Sequence, residues 1–339
     1  MNKVEIALLD TGINALHPYL KDNIVKSYEV VYLDKTYQVV PSEDMNNDFS
    51  GHGTACASVI KKECSDVELY SFKVFDNKGR CNLQVLETAL YYIKSMSINL
   101  INLSLAIIDK VDITDLEKLC NDITFDRKII ISSLGNKQKR SYPAVLKECI
   151  GVQGSILNTV DSIWFNKHKK IQCVVDNTPF LHCNIAGNYS LFGKCNSYSS
   201  AKLTGIVASI ISEKSQLSRN QILTCLSDRS EKKYWCQFDL RKSKRYPNID
   251  EYKEQFDKSI IDEIEKIIKK QLNIDKDIPI KNKFLLSSEI GLSYRHCYEL
   301  IKNIEKTFGI TIHDYTRISR EDFYSVNHIV HLIYQYMLL

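Results

Sequence analysis

The sequence predicts an α/β domain built around a mostly parallel sheet, followed by a small all-α bundle. Three observations carry this. From residue 4 to about 228, short apolar runs alternate with stretches of helical periodicity, the pattern of successive βα units. From about residue 260 onward, apolar residues recur only at helical spacing. The length, 339 residues, is about twice that of a typical single domain, so two folded units are expected.

Strands are expected at residues 4–9, 68–74, 100–105, 128–133 and 150–153, each a compact apolar run suited to burial on both faces. Between them, residues 56–62, 83–95 and 113–122 read as helices, and 197–214 as a long one. Residues 229–255 are dense in charged residues and tyrosine, with only 234–240 strand-like, and form the expected boundary between a domain at 1–228 and another at 256–339. In the second, Ile260, Ile261, Ile264, Ile267, Ile268 and Leu272 lie on one helical face. Leu300, Ile301, Ile304 and Phe308 lie on another, and a last periodic segment runs from Phe323 to Met337, giving about four helices counting short ones.

Composition removes several classes of function. The 45 basic and 41 acidic residues leave a formal charge of +4, too balanced for a nucleic-acid or anionic-membrane partner held by bulk charge. The eleven cysteines are scattered and never spaced C-x-x-C, which suggests neither a zinc site nor a disulfide framework. No apolar run approaches the ~18 residues of a membrane span. The opening residues already read as a strand ending in an acid, with no secretion signal before it, and a soluble cytoplasmic protein is expected.

The chemistry-bearing residues come in the order acid, imidazole, amide, hydroxyl. Asp10, in Asp10-Thr11-Gly12, ends an apolar strand. His52, in Gly51-His52-Gly53-Thr54, opens a helix of small residues, where glycines permit close backbone approach. Asn136 follows Leu134-Gly135 in a loop after a strand and offers a side-chain amide to a developing oxyanion. Ser197, Ser199 and Ser200 compete for the nucleophile, in the run Asn196-Ser197-Tyr198-Ser199-Ser200-Ala201. Each residue alone also reads as a turn, packing or capping residue. Together, acid, base, nucleophile and oxyanion donor are the parts that acyl transfer through a serine requires. An aspartic peptidase also uses D-T-G, but needs two such carboxylates, and the chain has one.

These motifs resemble those of the subtilisin-like serine peptidases. D-[ST]-G is matched by Asp10-Thr11-Gly12, followed by Ile13 and His17-Pro18, and H-G-T by His52-Gly53-Thr54. The substrate strand S-L-[GA] is matched by Ser104-Leu105-Ala106, the A-G-N loop by Leu134-Gly135-Asn136, and the Tyr-Pro-[AS]-Val stretch by Tyr142-Pro143-Ala144-Val145. In the serine motif G-T-S-x-A-x-P-x-x-x-G, the register that places both serine and final glycine selects Ser197 and Gly205. It puts Cys195 for Gly, Asn196 for Thr, Ser199 for Ala and Ala201 for Pro. The resemblance spans roughly residues 3–228 and implies a three-layer subtilisin-like fold. It also implies catalysis by Asp10, His52 and Ser197, an oxyanion held by Asn136 and the backbone N–H of Ser197, and a peptide lying against Ser104, Leu105 and Ala106. No cofactor or metal enters this chemistry. With nine residues before Asp10, the amino-terminal arm that helps the family bind calcium is expected to be absent.

The tail resembles acyl or peptidyl carrier domains, through residues 267–272, Gly291-Leu292-Ser293 and 299–310. In carriers a serine three residues after that glycine bears phosphopantetheine; that register holds Tyr294, and Ser293 reads as a helix cap. A peptidase joined to such a bundle resembles proteins of peptide-maturation systems. The expected partners are therefore a ribosomally made precursor peptide, whose leader is removed, and a peptide-modifying enzyme. Two alternatives stand beside this: a pseudopeptidase that binds peptide without cutting, motivated by the drift around Ser197, and a carrier protein with pantetheine on Ser293.

Overall fold

The computed structural model describes residues 3–108, 111–214, 217–252 and 256–337. The chain forms two compact units. The first comprises residues 1–177, 183–187 and 193–244; the second comprises 178–182, 188–192 and 245–339.

The first unit is built on a nine-stranded sheet. Its strands are β1 (Val4–Asp10), β2 (Ile24–Leu33), β3 (Thr36–Pro41), β4 (Val67–Lys73), β5 (Leu100–Leu103), β6 (Ile129–Ser133), β7 (Cys149–Ser155), β8 (Ile163–Phe165) and β9 (Cys173–Asp176). They are ordered β3-β2-β4-β1-β5-β6-β7-β9-β8. The seven inner strands run parallel, while β3 and β8 are antiparallel edges. β1, β5 and β6 are buried along almost their whole length, which is why they read as unbroken apolar runs.

The helices cover both faces. α1 (His52–Glu63), α2 (Leu83–Lys94) and α3 (Thr114–Phe125) follow strands in sequence, and α4 (Asn196–Glu213) follows the strand pair described below. Leu86, Leu90 and Ile93 of α2 and Leu116, Cys120 and Ile123 of α3 join Leu9, Phe72, Ile101, Leu103 and Ile130 in one apolar layer. On the other face α4 lies against α1 and against β5, β6 and β7. Gly205 permits that approach: a Cβ there would lie 2.6 Å from Glu63 Cβ and 2.7 Å from the Ile60 carbonyl oxygen. The glycine that set the serine register is thus the point where α4 meets α1.

Several boundaries differ from the sequence reading. α1 begins at His52 rather than residue 56, β5 stops at Leu103, and β2, β3, β8 and β9 were not expected at all. Residues 219–229 form a helix, α5 (Arg219–Arg229), and the strand-like run 234–240 is instead entered by a short helix, α6 (Gln237–Lys242). Residues 229–244, read as part of a boundary segment, pack with the first unit: the Glu231 N–H donates to the Ile163 carbonyl at 2.8 Å, and Trp235 joins Trp164 and Val174 in a small apolar cluster.

The second unit combines most of a two-stranded sheet, β10 (Phe180–Cys183) and β11 (Tyr189–Phe192), with α7 (Lys258–Leu272), α8 (Tyr294–Phe308), two short 3₁₀ turns and α9 (Val326–Met337). Its core takes Ile261, Ile264 and Ile268 from α7, Leu300, Ile301 and Ile304 from α8, and Ile329, Val330 and Ile333 from α9, together with Leu181 and Leu191 of the sheet. Ser293 caps α8 in a reciprocal pairing with His296. Among the described residues no helix is long and apolar enough to cross a membrane.

Candidate active site

Asp10 closes β1 at the carboxyl end of the parallel strands, where open α/β sheets expose their loops. Its side chain is fully buried, and Oδ1 lies 2.6 Å from His52 Nδ1 while accepting the Thr11 N–H at 2.7 Å. Oδ2 is buried with no hydrogen-bond partner among the described residues, so the imidazole is the group that offsets the carboxylate charge.

His52 is the first residue of α1, and the free N–H groups of that helix end are satisfied from a distance. Its N-cap, Gly51, sits at φ +83° and contributes no side chain. Instead the Ser50 hydroxyl accepts the His52 N–H, the Thr11 hydroxyl accepts that of Gly53, and Asp48 accepts that of Thr54. Asp48 is the hub. Its Oδ1 accepts the Thr11 hydroxyl at 2.7 Å and the Ser50 and Gly51 N–H groups at 3.1 and 2.9 Å, and its Oδ2 accepts the Thr54 N–H and hydroxyl at 2.9 and 2.7 Å. A buried carboxylate at a helix amino end also faces the favourable end of the helix dipole. Gly53 must lack a side chain, since a Cβ would lie 2.1 Å from the Gly12 carbonyl oxygen.

Burial of the His52 ring disfavours its charged form, but the Asp10 carboxylate, by charge and hydrogen bond, and more distantly Asp48 outweigh this and raise its pKa above the usual imidazole value. Cys56, one turn along α1, places Sγ 3.9 Å from His52 Nδ1. Burial and the Asp10 charge push its thiol far up, so it stays protonated; burial likewise raises that of Cys195. Asp10, His52 and Cys56 hold potential metal-ligand atoms within 4.8 Å of one another, yet the short Asp10–His52 bond already commits both.

The serine side is organised differently. Ser197 lies in the first turn of α4, half-buried, and its hydroxyl donates to the Ser104 carbonyl at 3.3 Å. Ser199 and Ser200 are fully buried; the first bonds the Cys195 carbonyl, the second the Ser197 carbonyl and the Ser104 hydroxyl. Asn196, where the resembling family has threonine, clamps three segments: Oδ1 accepts the Gly154 N–H at 2.9 Å, Nδ2 donates to the Leu134 carbonyl at 2.8 Å, and its own N–H donates to Asn136 Oδ1 at 3.0 Å. That last bond fixes the Asn136 amide by its oxygen, which leaves Nδ2 as its donor end.

His52, Ser197, Asn136, Ser104, Leu105 and Ala106 line one cleft of about 330 Å³. The β5 ladder ends at Leu103, so residues 104–106 run on beside the cleft with backbone groups outside the sheet. A larger cavity of about 790 Å³ adjoins at Phe75, Gly79 and Ala106 and is walled by Val30, Val85 and Ile107 together with Asp76, Arg80 and Asn82.

An imidazole held by an aspartate and a helix-borne serine thus line one cleft at the carboxyl end of a parallel sheet. The Peptidase S8 model, described as the subtilase family, matches residues 1–246, and the chain belongs to that family. Among individual relatives, it is 32% identical over 163 residues to Subtilisin-like protease SBT6.1 of Arabidopsis thaliana, covering 45% of this chain and 14% of that one. It is 22% identical over 205 residues to an Intracellular serine protease of Paenibacillus polymyxa, covering 56% and 61%. The chain thus spans less than two thirds of these relatives' length. Among solved structures, a lanthipeptide protease shares the fold at a TM-score of 0.54 and 19% identity, over 65% of this chain and 78% of that one.

Asp48 and Asn196 are the residues the sequence reading did not assign. Asp48 sits in an Asn- and Asp-rich stretch that reads as a solvated loop; the available signal was a carboxylate four residues before a helix-opening histidine. In the sequence, Asn196 stands only as a departure from the threonine of the motif.

Proposed function

We propose that the chain is a serine endopeptidase in which Ser197 is the nucleophile, His52 the general base and acid, and Asp10 the group that orients the imidazole. His52 takes the Ser197 hydroxyl proton as Oγ attacks the scissile carbonyl carbon. The carbonyl oxygen becomes an oxyanion held by Asn136 Nδ2 and the Ser197 N–H. Collapse breaks the C–N bond, and the proton held by His52 passes to the departing amine. Water, deprotonated by the same imidazole, then releases the acyl group. The carrying observation is the 2.6 Å Asp10–His52 contact in the cleft that Ser197 also lines.

The substrate pairs with the backbone of residues 104–106 as an added strand. The adjoining cavity, apolar at Val30, Val85 and Ile107 and polar at Asp76, Arg80 and Asn82, accepts a side chain of that strand. The biological substrate is a ribosomally made precursor peptide from which a leader is removed in the cytoplasm. The fold shared with a lanthipeptide protease and the similarity to an intracellular protease support this reading. The peptidase domain is followed by an acyl-carrier-related helical domain that recruits the precursor or its modifying enzyme.

One observation favours a second reading. The Ser197 hydroxyl donates to the Ser104 carbonyl, and a serine engaged in this way fits a groove that binds peptide without cutting it. Incubation of the protein and of Ser197→Ala with precursor peptides encoded nearby, read by mass spectrometry, separates the two. Cleavage by the parent alone supports the peptidase; equal cleavage by both removes Ser197 from the mechanism. Binding without cleavage, and no reaction with a fluorophosphonate probe, favours the scaffold.

A further inference from the structure

The formal charge of +4 is spread over 86 charged residues, yet one region of the first unit concentrates cations. The turn between β8 and β9 carries Lys167, His168, Lys169 and Lys170 in succession, with Lys167 and Lys170 exposed. Among the described residues none of these four pairs with a carboxylate. Lys169 is held 4.4 Å over the Trp235 ring, which anchors the turn.

Two grooves, of about 500 and 310 Å³, flank this turn and share Phe165, Lys167, His168 and Leu223. Lys233 lines the first; Lys147 and Arg219 line the second. Of the cations lining the grooves, Lys147 lies 3.6 Å from Glu148, buried, and Lys233 lies 3.9 Å from Asp228, while Asp239 pairs with the adjacent Lys232 at 2.5 Å. Arg219 spends one nitrogen on the Lys147 and Cys149 carbonyls, while its buried Nε has no partner among the described residues. The floor is apolar at Phe165 and Leu223, and Tyr234, 78% exposed, stands at the rim.

We infer that these grooves bind an acidic, amphipathic segment of another polypeptide, its carboxylates on the lysine turn and an apolar side chain on Leu223 and Phe165. Charge complementarity selects an anionic occupant. The apolar floor and the short reach of the grooves favour peptide over nucleic acid, which requires a basic path that tracks a backbone. The turn leads into the amino end of β9, and Lys147 precedes that of β7, whereas the catalytic cleft lies at the carboxyl ends of the strands. The two sites are thus at opposite ends of the sheet, and an occupant here leaves the cleft open.

The inference is independent of the cleavage reading, because its test uses Ser197→Ala protein and reads binding. A fluorescein-labelled glutamate-rich peptide carrying one leucine is titrated by anisotropy at low and physiological salt. Parallel titrations use a neutral peptide of equal length and a single-stranded oligonucleotide of equal charge. Expected are binding of the acidic peptide over the neutral one, weakening with salt, and about tenfold weaker binding in K167E/K170E. The control K21E/K35E should bind as the parent. K167Q/K170Q, checked by circular dichroism, gives the same test with less risk to folding. Equal affinity in the charge variants, or tighter binding of the oligonucleotide, overturns the inference.

Discussion

The two halves of the candidate active-site cleft are held together in different ways. The acid and imidazole half keeps its motif residue for residue, and each member makes a contact that few other side chains make: the carboxylates of Asp10 and Asp48, the hydroxyls of Thr11 and Thr54, and Gly53 against a carbonyl. The serine half has drifted at four motif positions, yet α4 still seats Ser197 in the cleft. Its placement rests on helix–helix approach at Gly205 and on the bonds that the Asn196 side chain makes to the Gly154 N–H and the Leu134 carbonyl. A site element built from charge tolerates little change in residue type. One built from backbone position tolerates change that keeps the position.

The most severe break belongs to the first half. Asp10→Asn keeps the shape but removes the charge that orients and stabilises the imidazole, and should lower kcat by about 10⁴ with little change in fold. A loss below tenfold, measured on a peptide the parent cleaves, would show that His52 is held by something other than Asp10.

Within the second half, Asn196→Ala removes the side-chain bonds to Gly154 and Leu134 and loosens the loop that carries Asn136. About 10–100-fold lower kcat/KM is expected, since small misplacements of catalytic groups carry costs of this size. Asn196→Thr, which retains a shorter polar group, should fall between. If threonine instead raises activity, the asparagine is a weakening drift and not a compensating clamp. Gly205→Ala probes the same half through stability: an added Cβ meets Glu63 and the Ile60 carbonyl at under 3 Å and should cost about 1–3 kcal/mol. Thermal unfolding reads this, and an unchanged Tm would mean that the α1–α4 approach is not what seats the serine helix.

The same contrast accounts for what could be read without coordinates. β1, β5, β6 and β7 were visible because strands buried on both faces are continuous apolar runs, and α2 because Leu86, Leu90 and Ile93 repeat at helical spacing. β2 and β3 were not visible, since they form an edge hairpin with mostly half-exposed residues and no buried stripe. β8 and β9, at three and four residues, are too short for periodicity to register. The run 234–240 looked strand-like from its aromatic residues, but Asp239 accepts the Cys236 N–H at 2.7 Å, a helix-start bond that outweighs that preference. At the site, residues bound to a motif were legible, whereas Asp48 acts by accepting bonds from residues distant in sequence, a role no local pattern announces.

The finest test of the comparison is the pH profile. The mechanism proposed above needs neutral His52, and the raised pKa means the ring holds its proton to higher pH than a free imidazole. Activity should therefore be lost as pH falls through a value above the ordinary ~6.5, and the acid limb of kcat/KM should lie there. Burial works in the opposite direction, so the position of the limb measures how far the carboxylates prevail. Asp48 contributes to the shift from further away than Asp10. Asp48→Asn should thus move the acid limb to lower pH by less than Asp10→Asn moves that of its residual activity, while the loss of a charged acceptor at five bonds lowers Tm. If the limb stays in place while Tm falls, Asp48 acts only as a scaffold, and the charge felt by His52 comes from Asp10 alone.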